Sequence, residues 1–247
     1  PEETVFQALF GNPQAIWGGE FIGNFKIDKD LSLLLHESHE RNEMFDNPYW
    51  MLDVVVAPEF DGEALRVLSR RKSRKIFNNT TLYNPKIPNS AWRYRQVRGG
   101  FLRQSAPTYI LDTAKTQWLT SPLQGQMLDS LILAWSIVWT SNHGGNEVAV
   151  VKDCKLLGVG GGPSTVEAAR IAVSRAQASD HDTMNSVFAA DAFFPFTDAP
   201  QILKEAGCIG GVVPSGGKNE PLIKKYFQDN DVNVTYIPPE YRGFCRH

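Results

Sequence analysis

Residues 141–176 run SNHGGNEVAVVKDCKLLGVGGGPSTVEAARIAVSRA, and the character of the chain changes repeatedly along them. A polar, glycine-bearing loop gives way to an apolar strand, a turn, a second strand, a second glycine loop and then a helix. Ser164-x-x-Glu167 has the form of a capping box, so the helix opens directly after Gly160-Gly161-Gly162. Backbone donors and the positive end of a helix then face whatever lies beyond the second strand, an arrangement that suits a phosphate or carboxylate. An ordinary tight turn explains the same glycines. Gly158-x-Gly160-x-x-Pro163 lacks the third glycine of the dinucleotide fingerprint, and no glycine-lysine-serine ending makes it a P-loop.

Working outward toward the C-terminus, residues 190–198 read ADAFFPFTD. Pro195 has no backbone donor and biases Phe194 to extended geometry, so the segment is a loop or strand exit. Its aromatics plug a core or line a ligand site, and the segment alone supports both. Asp198 is expected to cap the helix APQILKEA, which Gly207 ends; CIGGVV is a strand, PSGG leads into the helix PLIKKYFQDN, and VNVTYIP is a strand. The order β-α-β-α-β predicts an α/β layered sheet with parallel pairing and helices on it.

Upstream, residues 15–25 (AIWGGEFIGNF) predict a strand whose glycines permit close approach by backbone or ligand. LSLLLHESHER predicts one helix carrying His36 and His39, which could share a metal; with no third ligand evident, a solvated helix face explains them as well. MLDVVVA, stopped by Pro58, is a buried strand, and Asp61 caps the helix GEALRVLSRRK. Residues 91–104 (AWRYRQVRGGFLRQ) form a hairpin with Arg93 and Arg95 on one face; its four arginines could hold an anion or be solvated. Ser121-Pro122 reads as a cap and first turn for a helix bearing Leu128, Leu131, Ile132, Trp135 and Trp139 on a core stripe.

The 247 residues, 42% apolar, 21% charged and with a net charge of −2, describe a soluble protein without bulk attraction to nucleic acid or an anionic membrane. Cys154, Cys208 and Cys245 are too scattered for a disulfide framework or a zinc site, which with the lack of an export signal points to the cytoplasm. No His-Glu-x-x-His and no deaminase zinc signature occurs, so no metal is expected, and no Gly-x-Ser-x-Gly marks a Ser-His-Asp triad.

Four segments, SNHGGNEVAVVKDCKLLGVGGGPSTVEAARIA, ADAFFPFTDAPQILKEAG, GGVVPSGGKNEPLI and the terminal YRGFCRH, stand in the order seen in AICAR transformylase. That enzyme is the C-terminal part of the bifunctional purine-biosynthesis protein that also carries IMP cyclohydrolase. GNPQAIWGGEFIGNFKID, MLDVVVAPEFDGEALRVLSRRK and VRGGFL are similar to its upstream segments, so the resemblance spans nearly the whole chain. It implies a pair of cytidine-deaminase-like α/β subdomains without zinc, drawn here at residues 1–115 and 116–247, and an active site across a homodimer interface. It also implies transfer of a formyl group from 10-formyltetrahydrofolate, as co-substrate, to the amino group of AICAR in IMP biosynthesis. By resemblance, Phe193 and Phe196 contact the two ring systems and Asp198 the pterin edge. Asp53 lies near the nucleotide base, beside Trp17 (where the family has phenylalanine), Gly18 and Gly19. Phe244 stacks, and Arg242 makes a polar or phosphate contact. The family's Gly-Gln-x-Ser-Arg stands here as residues 161–165, GGPST, which keeps Gly161 and Ser164 and replaces a bidentate donor with Thr165. Strand register puts the family's asparagine at Asn146, whereas the Ser-Asn dipeptide itself would select Asn142. Asn146 is the expected oxyanion donor and His143, in the same loop, the candidate base, although a loop histidine is also commonly just solvated. The family's Lys-His pair and Arg-Tyr-Gly motif lie upstream of the segment with which this sequence begins. The alternatives are a non-catalytic folate- or nucleotide-binding homologue and a structural partner subunit.

Overall fold

The computed structural model describes residues 1–86, 92–105, 109–141 and 145–241. Contacts divide the chain into two units, Pro1–Ile87 and Pro88–His247, an earlier boundary than the 115/116 drawn from the sequence.

In the first unit, α1 (Glu2–Phe10), β1 (Glu20–Ile22), α2 (Lys29–Leu34), α3 (His39–Phe45), β2 (Val54–Ala57), α4 (Gly62–Leu68) and β3 (Lys75–Asn78) follow in order. The three strands pair in parallel as β1-β2-β3. Val55 and Ala57 alternate inward along β2 and join Leu9, Ile27, Leu31, Trp50 and Leu68 in one apolar core. Asp61 caps α4 as the sequence predicts, its Oδ1 accepting from the Ala64 N–H at 2.7 Å. The single helix expected across LSLLLHESHER is instead two. Ser38 starts a new helix by accepting from the Arg41 N–H at 3.2 Å, and the intervening turn buries His36 against Tyr49 while His39 stays exposed. The two histidines therefore do not share a helix face. Among the described residues no group of three or more His, Cys, Asp or Glu is placed to hold a metal ion.

The second unit opens with the antiparallel hairpin β4 (Trp92–Val97) and β5 (Gly100–Ser105), turned at Gly99 with φ +85°. It continues with β6 (Gln117–Trp118), α5 (Gly125–Thr140), β7 (Asn146–Lys152), β8 (Lys155–Gly162), α6 (Thr165–Ala178), β9 (Val187–Ala190), α7 (Asp198–Glu205), β10 (Gly210–Pro214), α8 (Glu220–Asp229) and β11 (Asn233–Ile237). Six of these strands form one sheet in the order β6-β11-β10-β9-β7-β8. Pairing is parallel across β9, β10 and β11, as the β-α-β-α-β order predicts, and antiparallel elsewhere. Side chains alternate between two cores. Val148, Val150, Phe188, Ala190 and Val213 meet α6, α7 and α8; Ala149, Val151, Ala189 and Val212 meet Leu131, Ala134 and Trp135 of α5. The unit is thus an α/β layered sheet covered on both faces, with Trp135 in the core as its spacing predicted.

Three local expectations are corrected. Ser121-Pro122 does not start α5: the helix begins at Gly125 after Gln124, and the Ser121 carbonyl instead accepts from Asn233 Nδ2 at 2.6 Å, which ties it to the start of β11. Gly158, Gly160, Gly161 and Gly162 are not a loop but the end of strand β8. A Cβ at Gly160 would stand 2.6 Å from the Ala172 nitrogen and 2.8 Å from Ile171 Cβ, so the missing side chain lets α6 lie directly on the strand. Asp198 is the first residue of α7 rather than its cap. Thr197 holds the cap position without a side-chain bond, and the Asp198 carboxylate accepts from the adjacent Ala199 N–H at 2.9 Å.

Ser164 caps α6 as the first half of the predicted box. Ser164 Oγ accepts from the Glu167 N–H at 3.3 Å and donates to Glu167 Oε2 at 3.2 Å. Ser164→Ala should therefore destabilise the protein by about 1 kcal/mol, read as a lower urea midpoint at unchanged slope.

Candidate functional site

Strand direction gathers the candidate residues of the second unit at one edge. The carboxyl ends of the parallel strands β9, β10 and β11 point the same way. Because β7 runs antiparallel to β9 and β8 antiparallel to β7, the start of β7 and the end of β8 lie there too. Asn146 opens β7 opposite Gly162, its Nδ2 donating to the Gly162 carbonyl at 3.3 Å. Gly161 and Ser164 follow on β8 and at the head of α6, and the ADAFFPFTD segment leaves β9 at the same edge. Ligands of open α/β sheets bind outside the carboxyl ends of the strands, where helix N-termini converge.

The three phenylalanines of that segment divide the work between them. Phe194, 2% exposed, belongs to the core beside Phe188 and Phe227. Phe193 is half-buried against Gly217, where a Cβ would come within 2.8 Å of its ring. Phe196 is 62% exposed at the rim, and Asp198 is exposed beside it in sequence. Asn219 Nδ2 donates to the Pro195 carbonyl at 2.7 Å and fixes the segment to the start of α8. Core plug and surface aromatic are therefore both present, on different residues.

Two buried carboxylates at this edge were not singled out from the sequence. The Asp191 Oδ1 accepts from the Glu147 N–H at 2.7 Å, and both side chains are 2% exposed. An acid inside each of the apolar runs NEVAVV and FAADAFF was the available signal. Beneath the aromatic segment, Tyr236 has a hydroxyl buried without a partner among the described residues. Burial, and then the nearby Glu220 charge, push that hydroxyl up from its ordinary pKa. Burial alone would raise the Glu220 carboxyl, but Lys224 at 2.7 Å and the Gly216 N–H at 2.8 Å hold it below its ordinary value. Burial pushes the Cys208 thiol up to about 12, which removes it as a nucleophile near neutrality.

The candidates of the first unit meet at a turn before β2. Gly18 has φ +77°, and a Cβ there would lie 3.5 Å from Asp53 Oδ2. The Asp53 N–H donates to the Gly19 carbonyl at 2.9 Å, and the Asp53 carboxylate is bound by Arg71. Trp17, next to them in sequence, is 59% exposed. His143, Arg242 and Phe244, together with the alternative Asn142, lie outside the described residues.

The sequence profile of the AICARFT/IMPCHase bienzyme family matches residues 2–175. The chain belongs to that family. Among curated members, a bifunctional purine biosynthesis protein PurH from Persephonella marina is 30% identical over 237 residues, 96% of this chain and 43% of its own length. Those of Bacillus cytotoxicus (30% identity, 90% of this chain, 40% of its own) and Aquifex aeolicus (29%, 87% and 38%) are similar to the same extent. The chain thus spans about two-fifths of the length of these relatives. A solved deaminase/reductase from Thermotoga maritima covers 46% of this chain and 35% of its own at 19% identity and a TM-score of 0.30, too slight a likeness to bear on the fold. No described helix is long and apolar enough to cross a membrane.

Proposed function

We propose that this chain provides formyl transfer from 10-formyltetrahydrofolate to the amino group of AICAR, within the purine biosynthesis that names its relatives. The observation that carries the proposal is the meeting of Asn146, Gly161, Ser164 and the Phe193–Asp198 segment at the carboxyl edge of one sheet. In the transfer, the AICAR amine forms a bond to the formyl carbon, the carbonyl oxygen becomes an oxyanion, and the bond from that carbon to folate N10 then breaks. The proton lost by the amine leaves with N10. Asn146 has a second amide hydrogen beyond the one given to Gly162, and a donor of this kind stabilises the oxyanion. His143 is the proposed base for the amine proton. Phe196 and Phe193 offer flat apolar faces to the pterin and imidazole rings, and Asp198 accepts from the pterin edge. In the first unit, Asp53 beside Trp17, Gly18 and Gly19 would receive the nucleotide base, while Arg242 and Phe244 complete the contacts by resemblance. Production of formyl-AICAR by the protein, followed spectrophotometrically as folate is released, tests the reading; nucleotide and folate binding without product would overturn it in favour of a non-catalytic binding homologue. Thr165, buried where the family has an arginine, is the observation that favours that second reading.

The proposal includes a homodimer. Both faces of the β4–β5 hairpin are open, leaving Trp92, Tyr94, Phe101 and Leu102 each more than half exposed, as an interface strand pair requires. Light scattering at micromolar concentration should give twice the chain mass.

Phe196→Ala should leave stability within about 0.5 kcal/mol, as expected for an exposed side chain, while weakening reduced-folate affinity roughly tenfold through the lost ring face. Parallel loss of melting temperature and affinity would mean that the ring is structural.

A further inference from the structure

The first unit contains a cleft of about 380 Å³ whose chemistry the formyl-transfer reading does not use. His36, Arg70, Arg71 and Arg74 line it, with Tyr49 and Met51 as less polar wall and Glu37 as a carboxylate. Arg74 is 7% exposed, yet its Nε and Nη1 donate to neutral acceptors, the Leu52 and Leu68 carbonyls, at 2.9 and 3.0 Å. Among the described residues no carboxylate lies within ion-pair distance of it. Arg71 gives one nitrogen to Asp53 and another to Met51 Sδ, and its Nε is buried without a partner among the described residues. His36 Nδ1 is likewise buried without a partner among the described residues. Three arginines on one cleft wall, one of them buried and bonded only to neutral carbonyls, make the cleft electropositive, and an anionic group drawn into it offsets that charge. Met51, at φ +57°, holds the left-handed conformation uncommon for its residue type, a strain of the kind found at ligand sites.

We infer that this cleft binds an oxyanion, the phosphate or carboxylate of a small molecule, through Arg70, Arg71 and His36 over the fixed charge of Arg74. A planar guanidinium fork suits both groups. The cleft borders the proposed nucleotide-base site through the Arg71–Asp53 pair, but its charge and shape depend on neither folate nor turnover.

The test follows the His36 ring resonances of the full, isotopically labelled chain at constant pH and ionic strength during titration with inorganic phosphate, acetate or chloride. A saturable shift with phosphate, with acetate, or with both is expected and identifies which oxyanion the cleft prefers; no saturable shift with either, or an equal response to chloride, overturns the inference. Arg71→Gln should weaken the preferred oxyanion about tenfold and Arg70→Gln about threefold. Should Arg71→Gln fail to fold because Asp53 loses its partner, the exposed Arg70→Gln decides alone, and unchanged affinity in it overturns the assignment. Loss of formyl transfer in some other variant leaves this result untouched.

Discussion

Gly158→Ala should destabilise the protein by about 3 kcal/mol or more, at the upper end of what one inserted methyl group costs in a packed core. The new Cβ would lie far inside contact distance of the Ala172 carbonyl and 2.9 Å from the Ala176 nitrogen, both backbone atoms of α6. No rotamer change relieves a clash with backbone, so α6 must lift from β8 and open the core formed by Ala168, Ala172, Ala176, Val148 and Val150. Gly62→Ala is the control, because its Cβ would meet nothing within 4 Å and the exposed site should change little. Urea unfolding of both variants measures the difference; equal midpoints would mean that the contact between α6 and β8 has room to spare.

Asn146→Ala should lower the rate of formyl transfer by about 10²- to 10³-fold, the effect of removing one oxyanion donor. Substrate affinity should change far less, because a donor aimed at developing charge acts mainly in the transition state. The side chain donates at the strand end to the Gly162 carbonyl at a long 3.3 Å, so its truncation should cost little stability. Single-turnover kinetics in the full protein separate the two effects. A rise in KM with an unchanged kcat would assign Asn146 to ground-state binding and remove it from the chemistry.

The sequence was most legible where local rules agree with the global fold. Asp61 and the Ser164–Glu167 box mark helix starts because a short polar side chain satisfies orphan N–H groups next to it in sequence, and nothing distant competes. The alternation of β7 between two cores and the parallel order of β9, β10 and β11 follow from apolar runs separated by amphipathic helices. Ser121-Pro122 failed as a helix start because a bond from Asn233, far along the chain, claims the Ser121 carbonyl.

By itself the sequence determined the α/β class, the order of the elements from β7 to β11 and the family, since each rests on patterns a few residues wide or on motifs in fixed order. Only the tertiary structure decided what the glycines after Leu157 and the phenylalanines of ADAFFPFTD do. Gly158 and Gly160 could as well have cradled a ligand, until α6 proved to occupy their missing side-chain space. Phe194 went to the core and Phe196 to solvent, although they stand two residues apart in one motif. Strand direction then brought Asn146 and Ser164 to the edge that carries the aromatics, and the fold of the first unit placed His36 and Arg74 on one cleft. Burial and proximity between distant segments are properties of the packed chain, and residue type alone does not encode them.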